Sequence, residues 1–343
     1  MSKITYSEYL QILHDLEVTD EEILNYSVID SGRGAFDIRI RPNPEKVELG
    51  SNDVAIENAL AIGNKLSRWR RQGKFQNRLA AGDKRPIIAS EGDSWFQFPF
   101  LVDDVIDHLT EEFNVFSLGA AGDTANNMVF GDEKAYHKEY MFPLREHKDR
   151  IRAFLFSGAG NDIIGEDRNT KKPVLLQLVK NFNGDVNDIQ GHIEGDVLDQ
   201  KIAFLRKAYS RLIEDIRDEE GFESLPIIVH GYDYAYPYPW KDDTRDPSHA
   251  KKDKWLGSAF SERNIIDPHL RRGIIISLID RLYTELNQLA GDSQQTGVWV
   301  VDCRGSLPNV TDWIDEIHGT SSGFREPAKR IRNTLNSVLG AIT

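Results

Sequence analysis

A chain of 343 residues with an apolar fraction of 40% has material for one large globular domain and an appendage. Its net charge of −13 disfavours non-specific binding to nucleic acid or anionic lipid, and its one cysteine, Cys303, excludes an internal disulfide or a cysteine-based metal cluster within one chain. Apolar runs such as IIISLI, from Ile274, stop short of the ~20 residues of a membrane span. No spanning segment is therefore expected, and because MSKITYSEYL lacks the apolar core of a signal peptide the expected location is cytoplasmic.

Helical spacing appears first at Tyr6, Tyr9, Leu10, Leu13 and Leu16. Thr19, with Glu22 three residues later, has the form of a capping box for a second helix. FDIRIRP then alternates Phe36, Ile38 and Ile40 with charged residues, as a half-buried strand does. A longer helix is predicted from about Val54 to Arg71, with GKFQNRLAAGDKRP as a linker behind it. Residues 65–78, KLSRWRRQGKFQNR, hold six cations, two aromatics and no acid, which suits either a phosphate-facing patch or a solvated helix end. Acids and bases balance over residues 1–85, so all of the excess negative charge lies beyond them. That shift suggests a small N-terminal α+β module over 1–82, with a protein partner as one possible role, and a main domain over 83–343.

From residue 86 the pattern becomes short apolar strands separated by helices. PIIAS (86–90), FNVFSL (113–118), IRAFLFSG (151–158), LPIIVHG (225–231) and GVWVVDC (297–303) have the composition of buried parallel strands. VDDVIDHL, a segment near 198–217 and another near 270–290 have helical spacing. The fold class predicted is α/β, a three-layer α/β/α sandwich on a five-stranded parallel sheet. Right-handed crossovers bring every strand-to-helix loop of such a sheet to one edge. The loops concerned are GDS (92–94), GAAGDT (119–124), GAGND (158–162), HGYDY (230–234) and DCRGS (302–306).

A serine hydroxyl becomes a useful nucleophile when a base takes its proton and donors stabilise the oxyanion it generates. Ser94 sits at the first of these strand ends. His318, in DWIDEIHGTSSGF after the last strand, is the candidate base, with Asp315 three residues before it as the group that orients the ring. The backbone N–H groups of Ser94 and Gly122 and the side-chain amide of Asn161 are candidate oxyanion donors. Each also has a plain structural reading: Gly122 as a turn glycine, Asn161 as a helix cap, the DxxH pair as a surface charge contact.

GDS, GDT, GND and DxxH, in that order on successive strand ends, resemble the motif set of the SGNH (GDSL-type) hydrolases over residues 86–338. The resemblance implies sheet order 2-1-3-4-5, Ser94 as nucleophile, His318 as base, Asp315 as its partner, and Ser94, Gly122 and Asn161 as the oxyanion hole. It implies hydrolysis of an ester or related acyl bond through an acyl-enzyme, with no metal and no cofactor. Two positions depart from the family pattern: Ala159 stands where its GxND begins with glycine, and Trp95 where GDSL has leucine. Trp95, Tyr232 and Tyr234 are expected to bind a small ester substrate, a carbohydrate ester or an acyl-chain ester. The aromatic, proline-rich stretch 232–260 has the length of a lid or binding loop.

Two other readings compete. Asp93, Asp123 and Asp162 end three adjacent strands and would suit Mg²⁺ in a phosphoesterase. A non-enzymatic ligand-binding or adaptor protein would use the same sheet edge without chemistry.

Overall fold

The computed structural model of the protein describes residues 3–30, 39–49, 63–131, 138–167, 170, 172–243, 245 and 255–342. At the N-terminus, β1 (Ile4–Thr5) runs into a helix, Tyr6–His14, whose first turn is closed by a reciprocal capping box between Thr5 and Glu8. Thr19 caps the next helix, Asp20–Asn25, by accepting from the Glu22 N–H at 3.2 Å. β2 (Ser27–Asp30) pairs antiparallel with β3 (Arg39–Pro42), and β4 (Val47–Glu48) pairs parallel with β1. Ile40 is buried in β3 as the alternation predicts; Phe36, Ile38 and the predicted helix start near Val54 lie outside the described residues.

The main sheet consists of β5 (Ile87–Gly92), β6 (Asn114–Ser117), β7 (Ile151–Ser157), β8 (Ile227–His230) and β9 (Val298–Val301), all parallel, in the order β6-β5-β7-β8-β9. This is the expected 2-1-3-4-5 arrangement. The strands carry almost no exposed residue because helices flank the sheet. The helix Gly195–Arg217 turns Leu198, Ile202, Leu205, Tyr209, Leu212 and Ile216 inward at helical spacing and packs against Pro268–Ala290. Arg325–Ile342 packs against Val105–Leu109 and β9.

The first part of the stretch predicted as a linker, residues 73–80, is helical instead. One helix runs Gly63–Ala80 and carries Phe75, fully buried, into the main core, edge-on to Phe116 at 5.1 Å. Gly73 does not break it; a Cβ there would meet only the end of the Leu16 side chain, 2.7 Å from its Cδ1. Three arginines of this helix are engaged within the protein itself. Arg70 donates to the carbonyls of Leu13 at 3.0 Å, Asp15 at 2.6 Å and Val18. Arg71 pairs with Asp104 and Asp107, each at 2.6 Å, and Arg78 bonds Asn114 at 2.9 Å. Guanidinium groups serve here as forks that join backbone segments, a use that composition does not distinguish from surface charge. Among the described residues no helix is long and apolar enough to cross a membrane.

Candidate active site

β5 ends at Gly92, where a Cβ would come within 2.8 Å of Ser157 Cβ, so the chain can leave the sheet at this point only with glycine. Asp93 builds the turn that follows. Its carboxylate accepts from the Trp95 N–H at 3.1 Å, the Ser157 hydroxyl at 2.9 Å and the Tyr232 hydroxyl, and its carbonyl accepts from the N–H groups of Phe96 at 3.0 Å and Gln97 at 2.9 Å. The result is a rigid platform on which Ser94 projects, itself only 4% exposed.

His318 stands on a tight loop closed by the Ile314 N–H donating to its carbonyl at 2.9 Å. One oxygen of Asp315 accepts the N–H groups of Ile317 at 2.9 Å and His318 at 2.8 Å, and the other accepts from His318 Nδ1 at 2.7 Å. That arrangement places the ring proton on Nδ1 and leaves the Nε2 lone pair facing Ser94 Oγ, 2.7 Å away. Burial pushes the Asp315 carboxyl up, but the adjacent imidazole and the N–H donors outweigh it and hold the group below the ordinary carboxylate range. Phe98 stacks on the imidazole at 4.2 Å and 24°, and Trp255 meets it edge-on at 5.5 Å.

The loop after β6 comes up against the turn that carries Ser94 through the Ala120 N–H, which donates to Gly92 O at 2.8 Å. Gly122 follows with φ 84°, a conformation that favours glycine. Asn161 Nδ2 donates to the carbonyl of Asp123 at 2.6 Å, which uses one of its two amide hydrogens and leaves the other available. Among the described residues neither the Ser94 nor the Gly122 N–H is committed to a hydrogen bond.

Ser94, Asn161, Trp95 and Tyr232 line one cleft, whose enclosed space is small, about 60 Å³. Its remaining walls are mainly aliphatic: Ile163, Leu198, Ile202, Leu256, Ile275 and Leu278. Trp95 does more than line the cleft. Its indole N–H donates to the carbonyl of Ile317 at 3.1 Å and so ties the serine turn to the histidine loop. Tyr232 accepts the Gly160 N–H at 2.9 Å and donates to Asp93. Tyr234 is placed elsewhere, its hydroxyl 2.7 Å from Asp280 and its ring outside the cleft wall. His230 is buried, bonds its Nδ1 to Gly231 O and is pushed down to about 4 by burial, so it stays neutral beneath Trp95.

The three aspartates of the metal reading do not converge. Asp93 is saturated by the turn, Asp123 accepts from the Thr124 N–H at 2.9 Å and Asn127 Nδ2 at 2.7 Å, and Asp162 reaches back to the start of the helix Ala125–Phe130, accepting from the Ala125 N–H at 2.8 Å. Among the described residues no group of three or more His, Cys, Asp or Glu is arranged to hold a metal ion.

Two groups with no sequence signal complete the site. The fully buried carboxylate of Glu316 accepts four backbone N–H groups, from Tyr238 at 2.7 Å, Trp255 at 3.0 Å, Leu256 at 2.8 Å and Gly257 at 3.0 Å. Arg245, paired with Asp243, donates to the carbonyls of Tyr236 at 2.8 Å and Asp315 at 3.0 Å. The described residues of the long loop are thus bolted to the Asp315–His318 turn, since hydrogen bonds to charged groups each contribute about 1.5–3 kcal/mol. They form a fixed wall at the cleft.

Asp93 carries a pH signature. Burial raises its carboxyl from 3.8 to about 6 despite the donors around it, so the folded chain holds a proton that the unfolded chain has released. The associated stability is complete below the unfolded pKa and is lost as pH rises through about 6. Asp93→Asn is expected to remove this dependence, changing its stability relative to wild type by roughly 3 kcal/mol between pH 4 and pH 7 in urea unfolding. Parallel pH profiles for the two proteins would reject the assignment.

No family model matches the chain, and no curated protein matches it. Solved structures similar to it include phospholipase A1 from Streptomyces albidoflavus (TM-score 0.42, 12% identity, 73% of this chain and 99% of that one). The inhibitor-bound aryl esterase of M. smegmatis is similar at TM-score 0.42 and 13% identity, over 74% of this chain and 99% of that one. A candidate GDSL-like lipase from Bacteroides ovatus is similar at TM-score 0.38 and 11% identity over 75% of this chain, which spans about half, 54%, of that protein. At these values the likenesses bear on neither reaction nor substrate.

Proposed function

We propose that the chain is a serine hydrolase that cleaves esters of apolar acyl groups through an acyl-enzyme on Ser94. The observation that carries this reading is the continuous relay from Asp315 through His318 Nδ1 and Nε2 to Ser94 Oγ, with both links at 2.7 Å. His318 Nε2 takes the hydroxyl proton as Oγ bonds to the ester carbonyl carbon, whose π electrons move onto oxygen. The N–H groups of Ser94 and Gly122 and the free amide hydrogen of Asn161 are the donors for that oxyanion. Collapse expels the alcohol, which takes the proton from Nε2, and water then repeats the sequence to release the acid and restore Ser94.

The aliphatic cleft favours an acyl chain over a sugar, since a carbohydrate would leave many hydroxyls without partners. Incubation with a fluorophosphonate is expected to add one label per chain, on Ser94. Across p-nitrophenyl esters from acetate to dodecanoate, kcat/KM is expected to rise with chain length and then fall once the chain outgrows the cleft. A protein that neither labels nor hydrolyses any of these esters is not this enzyme, and the ligand-binding reading would replace it.

A further inference from the structure

The helix Gly63–Ala80 lies along the two loops that hold the proposed chemistry. Asn64, Arg68 and Gln72 follow one another at successive i+4 steps and so share one side of it. Asn64 Nδ2 donates to the carbonyl of Ala121 at 2.9 Å, and its Oδ1 accepts the Ala121 N–H at 3.0 Å. One turn on, Arg68 donates to Leu118 O; a further turn on, Gln72 donates to Ser117 O at 3.2 Å. The same helix grips the serine turn, because Arg71 donates to Phe96 O at 2.7 Å and the buried Gln97 donates to the backbone carbonyl of Asn64 at 2.9 Å.

The consequence comes from peptide geometry. The Ala121 carbonyl and the Gly122 N–H belong to one planar, trans unit and point in opposite directions. Gly122 has φ 84° and no Cβ, so little in its own chemistry prevents that plane from rotating. A grip on the carbonyl therefore aims the N–H. An oxyanion donor contributes only when it is already aimed at the place where charge will develop.

We infer that Asn64 is the positioning residue of the oxyanion hole, orienting the Gly122 N–H through the Ala121 carbonyl. This rests on the esterase reading of Ser94. It makes a residue of the N-terminal 82 part of the catalytic apparatus, and gives the cation-rich helix a purpose that its composition does not announce.

The test uses the full chain with p-nitrophenyl butyrate. Asn64→Ala is expected to lower kcat by about 10-fold or more, short of the roughly 10²- to 10³-fold that follows outright removal of a donor, while KM stays within about twofold. Asn64→Asp is the second variant, matched in volume. It keeps an acceptor for the Ala121 N–H but sets a carboxylate oxygen against the Ala121 carbonyl, and it is expected to lose kcat as well. In both variants the affinity for an alkyl trifluoromethyl ketone, whose adduct carries the oxyanion, should fall in step with kcat/KM while the melting temperature stays close to that of wild type. Unchanged kcat in both folded variants, or a joint change of kcat, KM and melting temperature, would overturn the inference while leaving an active, labelled wild type as an esterase. A wild type that neither labels nor hydrolyses ends both readings together.

Discussion

Ser94→Ala is expected to eliminate fluorophosphonate labelling and the burst of p-nitrophenol, and to lower kcat by up to roughly 10⁶-fold, to the level that binding and the oxyanion donors sustain alone. The loss should be that large because among the described residues no other hydroxyl or thiol has the required setting. Cys303, the single thiol, is buried, and its pKa is pushed up to about 12 by burial, so it cannot stand in as a thiolate. The fold should tolerate the change, since the turn is held by Asp93 and the Ser94 hydroxyl bonds only His318 among the described residues. Intact-mass measurement after incubation with the probe decides the matter. A labelled Ser94→Ala protein, or one with full esterase activity, falsifies the acyl-enzyme on Ser94.

Asp315→Asn is expected to cost about 10⁴-fold in kcat with little change in KM or melting temperature. The size follows from which oxygen does what. The oxygen that accepts the N–H groups of Ile317 and His318 would keep that role in asparagine, so the loop should hold its shape. The amide NH₂ would then face His318 Nδ1, which could only accept. The proton would be driven to Nε2, where it blocks removal of the Ser94 proton. Steady-state kinetics beside a melting curve test this, and a loss below about tenfold in a normally folded variant would leave Asp315 without an orienting role.

Much of the fold was legible in the sequence because its signals are local. A buried parallel strand must be an uninterrupted apolar run, and a chain that leaves such a strand sharply needs glycine, so PIIAS with Gly92 and LPIIVHG with Gly231 can be read residue by residue. Right-handed crossovers then place Ser94, Gly122, Asn161 and His318 at one edge without further information. The order of the motifs supplied the roles suggested for them.

What the sequence left open depends on partners distant along the chain. The cations of residues 65–78 look alike on paper; only the folded protein shows that Arg70 joins backbone carbonyls of the N-terminal segment while Arg71 joins Asp104, Asp107 and Phe96. Asn64 has no motif about it, since both bonds that matter reach a residue 57 positions away. Tyr232 and Tyr234 are equivalent in an aromatic loop, yet one lines the cleft and the other turns to Asp280. Glu316 reads as one more acid beside a histidine until its four N–H donors arrive from both ends of a long loop. Apolar period and glycine act over a few residues, so they mark the five strands and the loops at their ends, while the strand order came with the resemblance to the SGNH hydrolases. The tertiary structure alone decided which polar groups are aimed and which are merely buried, because a hydrogen bond depends on distance and angle between segments that the chain does not place side by side.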